Sequence, residues 1–304
     1  MLHQNRIQTL DLHFQGIPGV IAAYLIPHAH GAILVESGPG STIPDLVQNL
    51  AQHGFSPNDV TDVLLTHIHL DHAGAAGWLA QQGARIHVHK IGAPHLIDPK
   101  KLLSSAKRIY LDNMDRLWGE FLPVPKDKLQ ILQNNDIIEI EGLEFKALDT
   151  PGHAYHHMSY LFEGTCFCGD VGGIRLLGPR FLLLPTPPPE LNFGKWRQSL
   201  KTLQTENIEY FAPTHFGIQD DPAWHLRALA SALENFEIWM DSNLTETISK
   251  EKNRIQFTNW TRDIFETAGM KDKEIANYEL GMPSWMSADG MAHCWKKKSK
   301  LKRK

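Results

Sequence analysis

The chain has 304 residues, 42% of them hydrophobic, and a formal net charge of -4. That is enough apolar material for one large domain or two small ones, and the balanced charge gives no general reason to expect nucleic-acid binding. Three cysteines, Cys166, Cys168 and Cys294, exclude a disulfide framework. The first residues lack the charged start and long apolar stretch of a secretory signal, and runs such as "GVIAAYLI" are too short to span a bilayer. The expectation is a soluble cytoplasmic protein with no membrane contact.

In chain order, "RIQTLDLHF" alternates apolar and polar residues, and "VIAAYLI" and "GAILVESG" are apolar runs bounded by turn residues, so three strands are predicted. "STIPDLVQNLAQHG" has helical spacing, with Pro44 in the first turn and Gly54 at the stop. "DVLLTH" is a strand, "HAGAAGWLAQQG" a helix and "RIHVHK" a strand. This rhythm points to an α/β layered domain. Residues 94–125 read as one or two helices, an insertion or lid. Two hairpins follow, turning at Glu141-Gly142 and near Glu163-Gly164, then a Pro-rich irregular stretch, a helix over "FGKWRQSLKTLQ" and a strand at "IEYFAPTH". The division expected is a catalytic domain over 1–220, a helical extension over 221–290 that packs beside the site or forms a homodimer interface, and a disordered basic tail over 291–304.

The chemistry concentrates in "LLTHIHLDHAG". In an extended segment His67, His69 and Asp71 project on one side, and His72 breaks the alternation. One loop can therefore serve two metal ions, since imidazole and carboxylate are the usual ligands of Zn²⁺ and related ions. Three further strand ends carry candidates: His153 in "DTPGH", Asp170 in "CFCGD" and His215 in "FAPTH". Loops at strand ends are where layered α/β folds place their chemistry.

"THIHLDH" resembles the HxHxDH signature of the metallo-β-lactamase fold superfamily, and "TPGH", "GD" and "PTH" resemble its later ligand motifs. "GAILVESGPG" is similar to its early strand and turn, with Glu36 where Asp is usual. The resemblance covers roughly residues 15–218. It implies a four-layer αββα sandwich with additional C-terminal helices. It also implies two divalent metal ions, Zn or alternatively Fe or Mn. His67, His69 and His153 would hold the first, Asp71, His72 and His215 the second, and Asp170 would bridge them. A metal-bridging hydroxide would attack the substrate, with Asp71 accepting or passing on a proton. His157 matches a further histidine of the motif and is assigned a supporting role. Arg175 is a candidate partner for a substrate carboxylate or phosphate, and Tyr155 a candidate aid to the leaving group. His28, His30, His87 and His89, and the pair Cys166 and Cys168, are assigned to structure.

The branch most similar is the glyoxalase II-like one, although the stretch after Asp170 lacks that enzyme's Gly-Cys-Gly-rich segment. The function expected is hydrolysis of a small ester-like bond, a thioester, ester or lactone, in a small-molecule substrate. The alternatives are a phosphodiesterase, a mononuclear-iron sulfur dioxygenase, or a metal-binding regulatory protein without turnover.

Overall fold

A computed structural model describes residues 6–302. Two mixed sheets form its centre. The first has six strands in the order β1-β2-β3-β4-β5-β6: β1 Gln8–Asp11, β2 Ala22–His28, β3 Gly31–Val35, β4 Val60–Leu64, β5 Arg85–His89 and β6 Leu129–Leu132. The second runs β11-β10-β9-β8-β7, with β7 Ile137–Ile140, β8 Leu143–Asp149, β9 Met158–Phe162, β10 Thr165–Phe167 and β11 Tyr210–Ala212. The helices are α1 Ile43–Gln52, α2 Leu70–Ala73, α3 Ala76–Gln81, α4 Ala93–Ile97, α5 Lys100–Tyr110, α6 Met114–Trp118, α7 Phe193–Thr205, α8 Pro222–Asn243, α9 Lys250–Thr267, α10 Asp272–Gly281 and α11 Ser284–Lys302.

The period of two along the strands builds the layers. In β2, Ala22, Tyr24 and Ile26 face the second sheet and pack with Phe145, Tyr160 and Phe167, while Ala23 and Leu25 face outward onto the helices with Leu46, Leu50 and Leu79. The outer face of the second sheet, with Cys166 and Phe211, packs against Trp196, Leu229, Phe257 and Tyr278 from the C-terminal helices. Both faces of both sheets are covered, which explains why "VIAAYLI" is apolar throughout. The result is the four-layer αββα sandwich with extra C-terminal helices.

Two sequence expectations change. Of the basic segment 291–304, expected as a disordered tail, residues 291–302 belong to α11, which continues unbroken from Ser284 to Lys302, and residues 303–304 lie outside the described residues. Its first half is anchored by buried Met286, Ala288 and Met291, and a helix once nucleated by packing propagates through lysines, which are good helix formers. The apolar residues of "YELGMPSWMSADGMAHCW" thereby find burial within this chain. The segment "HAGAAGWLAQQG" divides into the short α2 and α3, with a break at Gly74 and Ala75. Among the described residues, no helix is long and apolar enough to cross a membrane.

Candidate metal centre

The ligand candidates meet at one edge of the sandwich, where strand ends of both sheets face each other. Tyrosine hydroxyls tie the loops down from between the sheets: Tyr160 donates to the Leu65 carbonyl at 2.8 Å and Tyr24 to the Pro213 carbonyl at 2.6 Å. Backbone bonds cross between the sheets here as well, from Met158 N to Thr66 O at 2.7 Å and from Ala22 N to Thr214 O at 2.8 Å.

His67 and His69 lie in the extended turn after β4, as alternation predicts. The alternation stops there, because His69 caps α2 and Asp71 and His72 sit in its single turn. Helical geometry therefore swings the Asp71 carboxylate over to His72, with Oδ2 3.6 Å from His72 Nε2 and 3.4 Å from His215 Nε2. His67 Nε2 and His153 Nε2 instead converge on His69 Nδ1, at 3.0 and 2.9 Å. Asp170 stands between the two groups. Its Oδ2 is 3.2 Å from His153 Nε2, and its Oδ1 is 3.3 Å from His72 Nε2 and 3.6 Å from His215 Nε2. Ligand atoms within 4.8 Å of one another thus form three groups: His67, His69, His153 and Asp170; Asp71, His72 and His215; and Glu36, His67 and His72, in which Glu36 bonds the outer nitrogen of His72.

The outer ring nitrogens show whether a cation fits. His153 Nδ1 is 2.8 Å from the Pro185 carbonyl and His215 Nδ1 is 2.8 Å from the Val20 carbonyl. A carbonyl only accepts, so each Nδ1 carries the proton and each Nε2 offers a lone pair inward. His72 does the same with Glu36, Nδ1 to Oε1 at 2.9 Å. The inward atoms His72 Nε2, His215 Nε2 and Asp170 Oδ1 are buried without a hydrogen-bond partner. Buried lone pairs aimed at one another are costly unless a positive charge sits among them. The donor set fits divalent metal.

The electrostatics agree. Burial, reinforced by the neighbouring histidines, holds His67 well below its ordinary range. Burial also brings His153 down to about 4, so it is neutral near pH 7 and ready to ligate. At the other set, burial opposes the charged forms, but Asp71 and Asp170 outweigh it and raise His72 and His215. In return His72 and its neighbours keep the Asp71 carboxyl well below the usual carboxylate range despite its burial. The same two carboxylates would favour a cation placed among these side chains.

Glu36 is the residue whose part sequence reasoning left undrawn. It is buried at the end of β3 with a φ of 68°, and its Oε1 accepts from Thr66 Oγ1 at 2.5 Å, His72 Nδ1 at 2.9 Å and Thr214 Oγ1 at 2.9 Å. One carboxylate joins the loops after β3, β4 and β11. His156 was also missed. It is buried, its ring centroid lies 5.7 Å from that of His69, and its Nε2 is 3.6 Å from Glu190. The doubled histidine in "HAYHH" was the available signal.

His157 takes a supporting position: its Nδ1 is 2.9 Å from Thr150 Oγ1, and its Nε2 accepts from Val171 N at 3.3 Å, holding the turn that carries Asp170. That turn needs Gly169, at φ 46°, because a Cβ there would lie 2.4 Å from Thr66 Oγ1 and 2.8 Å from His157 Nε2. The side chains of Arg175 and Tyr155 are held by other partners. Arg175 pairs with Asp221, 2.9 Å from Nη2 to Oδ2, and lies over the Trp224 ring at 4.5 Å. Tyr155 lies beneath Lys195, whose Nζ is 4.8 Å from its ring centroid. Both have structural partners, and neither is among the residues that line the cavity below. His87 and His28 are bonded within their sheet, to Asp62 at 2.7 Å and Thr61 at 3.0 Å.

A cavity of about 230 Å³ ends on the cluster at His69, Asp71 and Asp170. Helices α5 and α6 from the 94–125 segment form one wall through Leu102, Ile109, Tyr110 and Trp118. Pro187–Pro189 and the α10–α11 junction around Met282 and Met286 form another. Among the described residues, no Lys or Arg lines it.

The model of the metallo-beta-lactamase superfamily matches residues 16–215. The chain belongs to that superfamily. It carries the histidine and aspartate cluster of the superfamily's metal-dependent hydrolases. A metallo-beta-lactamase family protein from Thermus thermophilus superposes over 98% of this chain and 94% of its own, with a TM-score of 0.67 at 19% identity, a likeness of fold. A metallo-beta-lactamase fold-containing protein of Sulfurisphaera tokodaii is 29% identical over 60% of this chain and 68% of its own length. An atrochrysone carboxyl ACP thioesterase of Aspergillus chevalieri is 28% identical over 66% of this chain and 53% of its own. The chain thus spans about half the length of such fungal relatives.

Proposed function

We propose that this superfamily member hydrolyses an acyl thioester with an apolar acyl group, with two divalent ions at its centre. The observation that carries this reading is the apolar cavity without a basic residue that ends on His69, Asp71 and Asp170. Apolar walls with a few convergent polar groups at one end suit an acyl chain or ring with its carbonyl at the metals. The resemblance to an ACP thioesterase supports the thioester over an ester or lactone. A phosphodiester would call for a cation in the walls, so that alternative has less support. The intact second set, Asp71, His72 and His215, speaks for two ions over a mononuclear-iron dioxygenase and for turnover over a purely regulatory metal protein.

In this reading His67, His69 and His153 would hold one ion and Asp71, His72 and His215 the other, with Asp170 available to both. Divalent ions supply Lewis-acid polarisation of the carbonyl and acidify water. The chain's own contributions are orientation and proton handling. The anchored Nδ1 groups fix the ligands, and α5, α6 and α11 keep bulk water off the acyl group. The Asp71 side chain is 15% exposed where that of Asp170 is 2%, so it is the carboxylate open to the cavity and the one that carries a proton to the leaving thiolate. Three unpaired cysteines support a cytoplasmic setting. A homodimer through the C-terminal helices belongs to this reading as an arrangement for sizing chromatography to check.

The test is metal content per chain in protein purified without added metal, with turnover of matched thioesters, esters, lactones and a phosphodiester. Two ions per chain and preferential thioester cleavage are expected, both lost in Asp170→Ala. Full activity in Asp170→Ala, or a preference for the phosphodiester, would overturn the reading.

A further inference from the structure

Seven of the last nine residues, "KKKSKLKRK", are Lys or Arg, in a chain whose net charge is -4. Positive charge is thus segregated to one end, and that end is held beside the cavity. Helix α11 begins at the cavity wall with Met286 and passes Gly290 against Thr186 and Pro187, where a Cβ would lie 1.9 Å from the Thr186 carbonyl. It then reaches Lys297, whose Nζ donates to the Pro189 carbonyl at 2.9 Å. Pro189 itself lines the cavity. From Met286 to Lys297 the helix rises about 16 Å.

The lysines differ in what they do. Lys298 is engaged with Asp241 at 2.9 Å. Lys296 and Lys300 are exposed and form no ion pair among the described residues. The C-terminal half of α11 also lies against the start of α7, where the Cys294 thiol meets the Phe193 backbone. Exposed Lys195, two residues on, lies over the Tyr155 ring, whose backbone N–H donates to Glu190 of the strap 186–190. Burial and the ammonium groups of Lys297, Lys296 and Lys300 together push His293 below its ordinary range, and the acidic groups near this stretch, Glu237 and Asp241, face Lys298.

We propose that this face, Lys195 with Lys296, Lys297 and Lys300, docks the acidic surface of an acyl-carrier domain that presents the thioester to the cavity. The proposal rests on the thioesterase reading above. Charge complementarity selects the partner: an apolar cavity without a cation cannot itself attract a charged carrier, whereas a lysine face on the outside of the cavity wall steers and registers one. Nucleic acid is disfavoured because the face offers lysines without exposed aromatic rings for stacking bases. A membrane is disfavoured because Met286, Ala288 and Met291, the buried apolar residues of the helix among the described ones, point into the fold and are not available to insert.

The experiment uses the full metal-loaded chain and the variant Lys296→Glu/Lys300→Glu. Two substrates carry the same acyl group, one on an acidic acyl carrier protein and one on N-acetylcysteamine. Binding of the carrier without its acyl group is measured by calorimetry alongside. The proposal expects KM for the carrier substrate to rise about tenfold in the variant, and in the unchanged protein as salt rises from roughly 0.05 to 0.3 M. Turnover of the small thioester should stay within about twofold. Equal carrier kinetics and equal carrier binding in the variant overturn the docking face, including when the variant loses affinity for RNA or for vesicles of anionic lipid instead. Failure of the unchanged chain to cleave either thioester overturns the thioesterase reading, a different result from loss of discrimination between the two.

Discussion

Glu36 and His72 meet at 2.9 Å, Oε1 to Nδ1, across a fully buried contact between the end of β3 and helix α2. The same oxygen accepts from Thr66 and Thr214, so the orientation of His72 and the joint between the sheets depend on one carboxylate. Glu36→Ala strands four buried donors at once: Thr66 N, which donates to Oε2, and Thr66 Oγ1, His72 Nδ1 and Thr214 Oγ1. We expect metal affinity to fall by roughly 10–100-fold, and the metal-free protein to lose about 3 kcal/mol. Metal titration and urea unfolding of the chelated protein measure the two effects. Unchanged affinity would show that His72 is oriented by other contacts.

Acyl size should be set by the helical wall. Leu102→Trp adds bulk to the cavity at α5 without touching the cluster. Bulky acyl thioesters should lose roughly tenfold or more in kcat/KM while an acetyl thioester stays within about threefold. Parallel losses for both would place the acyl group elsewhere.

Helix α11 is fastened by a close approach. Gly290→Ala forces a methyl group against the Thr186 carbonyl and Pro187. Destabilisation by about 2 kcal/mol is expected, together with weakened discrimination among acyl groups, because the strap 186–190 forms a cavity wall. Thermal unfolding and a substrate series check both. Wild-type stability would mean that helix and strap separate without cost.

His225 provides a pH signature away from the metal. Its Nε2 donates to the Gly172 carbonyl at 2.7 Å and its ring stacks on Phe211, and burial lowers it to about 4. The folded state therefore prefers the neutral ring. Its contribution is complete above the ordinary value of 6.5 and is lost as pH falls through about 4, amounting to about 3 kcal/mol. Urea unfolding of metal-free protein at pH 7.5 and 4.5 should show a smaller acid loss in His225→Gln than in the unchanged chain. Identical losses would remove His225 from the acid response.

The ligand set was legible because its information is local. Strand ends followed by His or Asp can be read one motif at a time, and the strands that carry them are marked by apolar runs. Asp71 shows the limit. Its side was read from strand alternation, but α2 begins at Leu70, so a helical turn decides its direction. Arg175 shows another: its partner Asp221 lies 46 residues away, a pairing no local pattern encodes. The helix over Lys296–Lys302 was hidden because lysine runs suit solvated coil and helix alike, and only the docking of Met286 and Met291 decides between them.

The cavity has a floor and walls of separate origin. The floor is the cluster at the strand ends, within the segment matched by the superfamily model, whereas the α10–α11 wall lies beyond residue 215 and the α5–α6 wall is a helical excursion between β5 and β6. Chemistry and selectivity are therefore written in different stretches of the chain. Substitutions, insertions or exchanges in the walls can retune which substrate is accepted while the reactive end stays as it is, so this protein is modular in the sense that matters for evolving or engineering a new substrate.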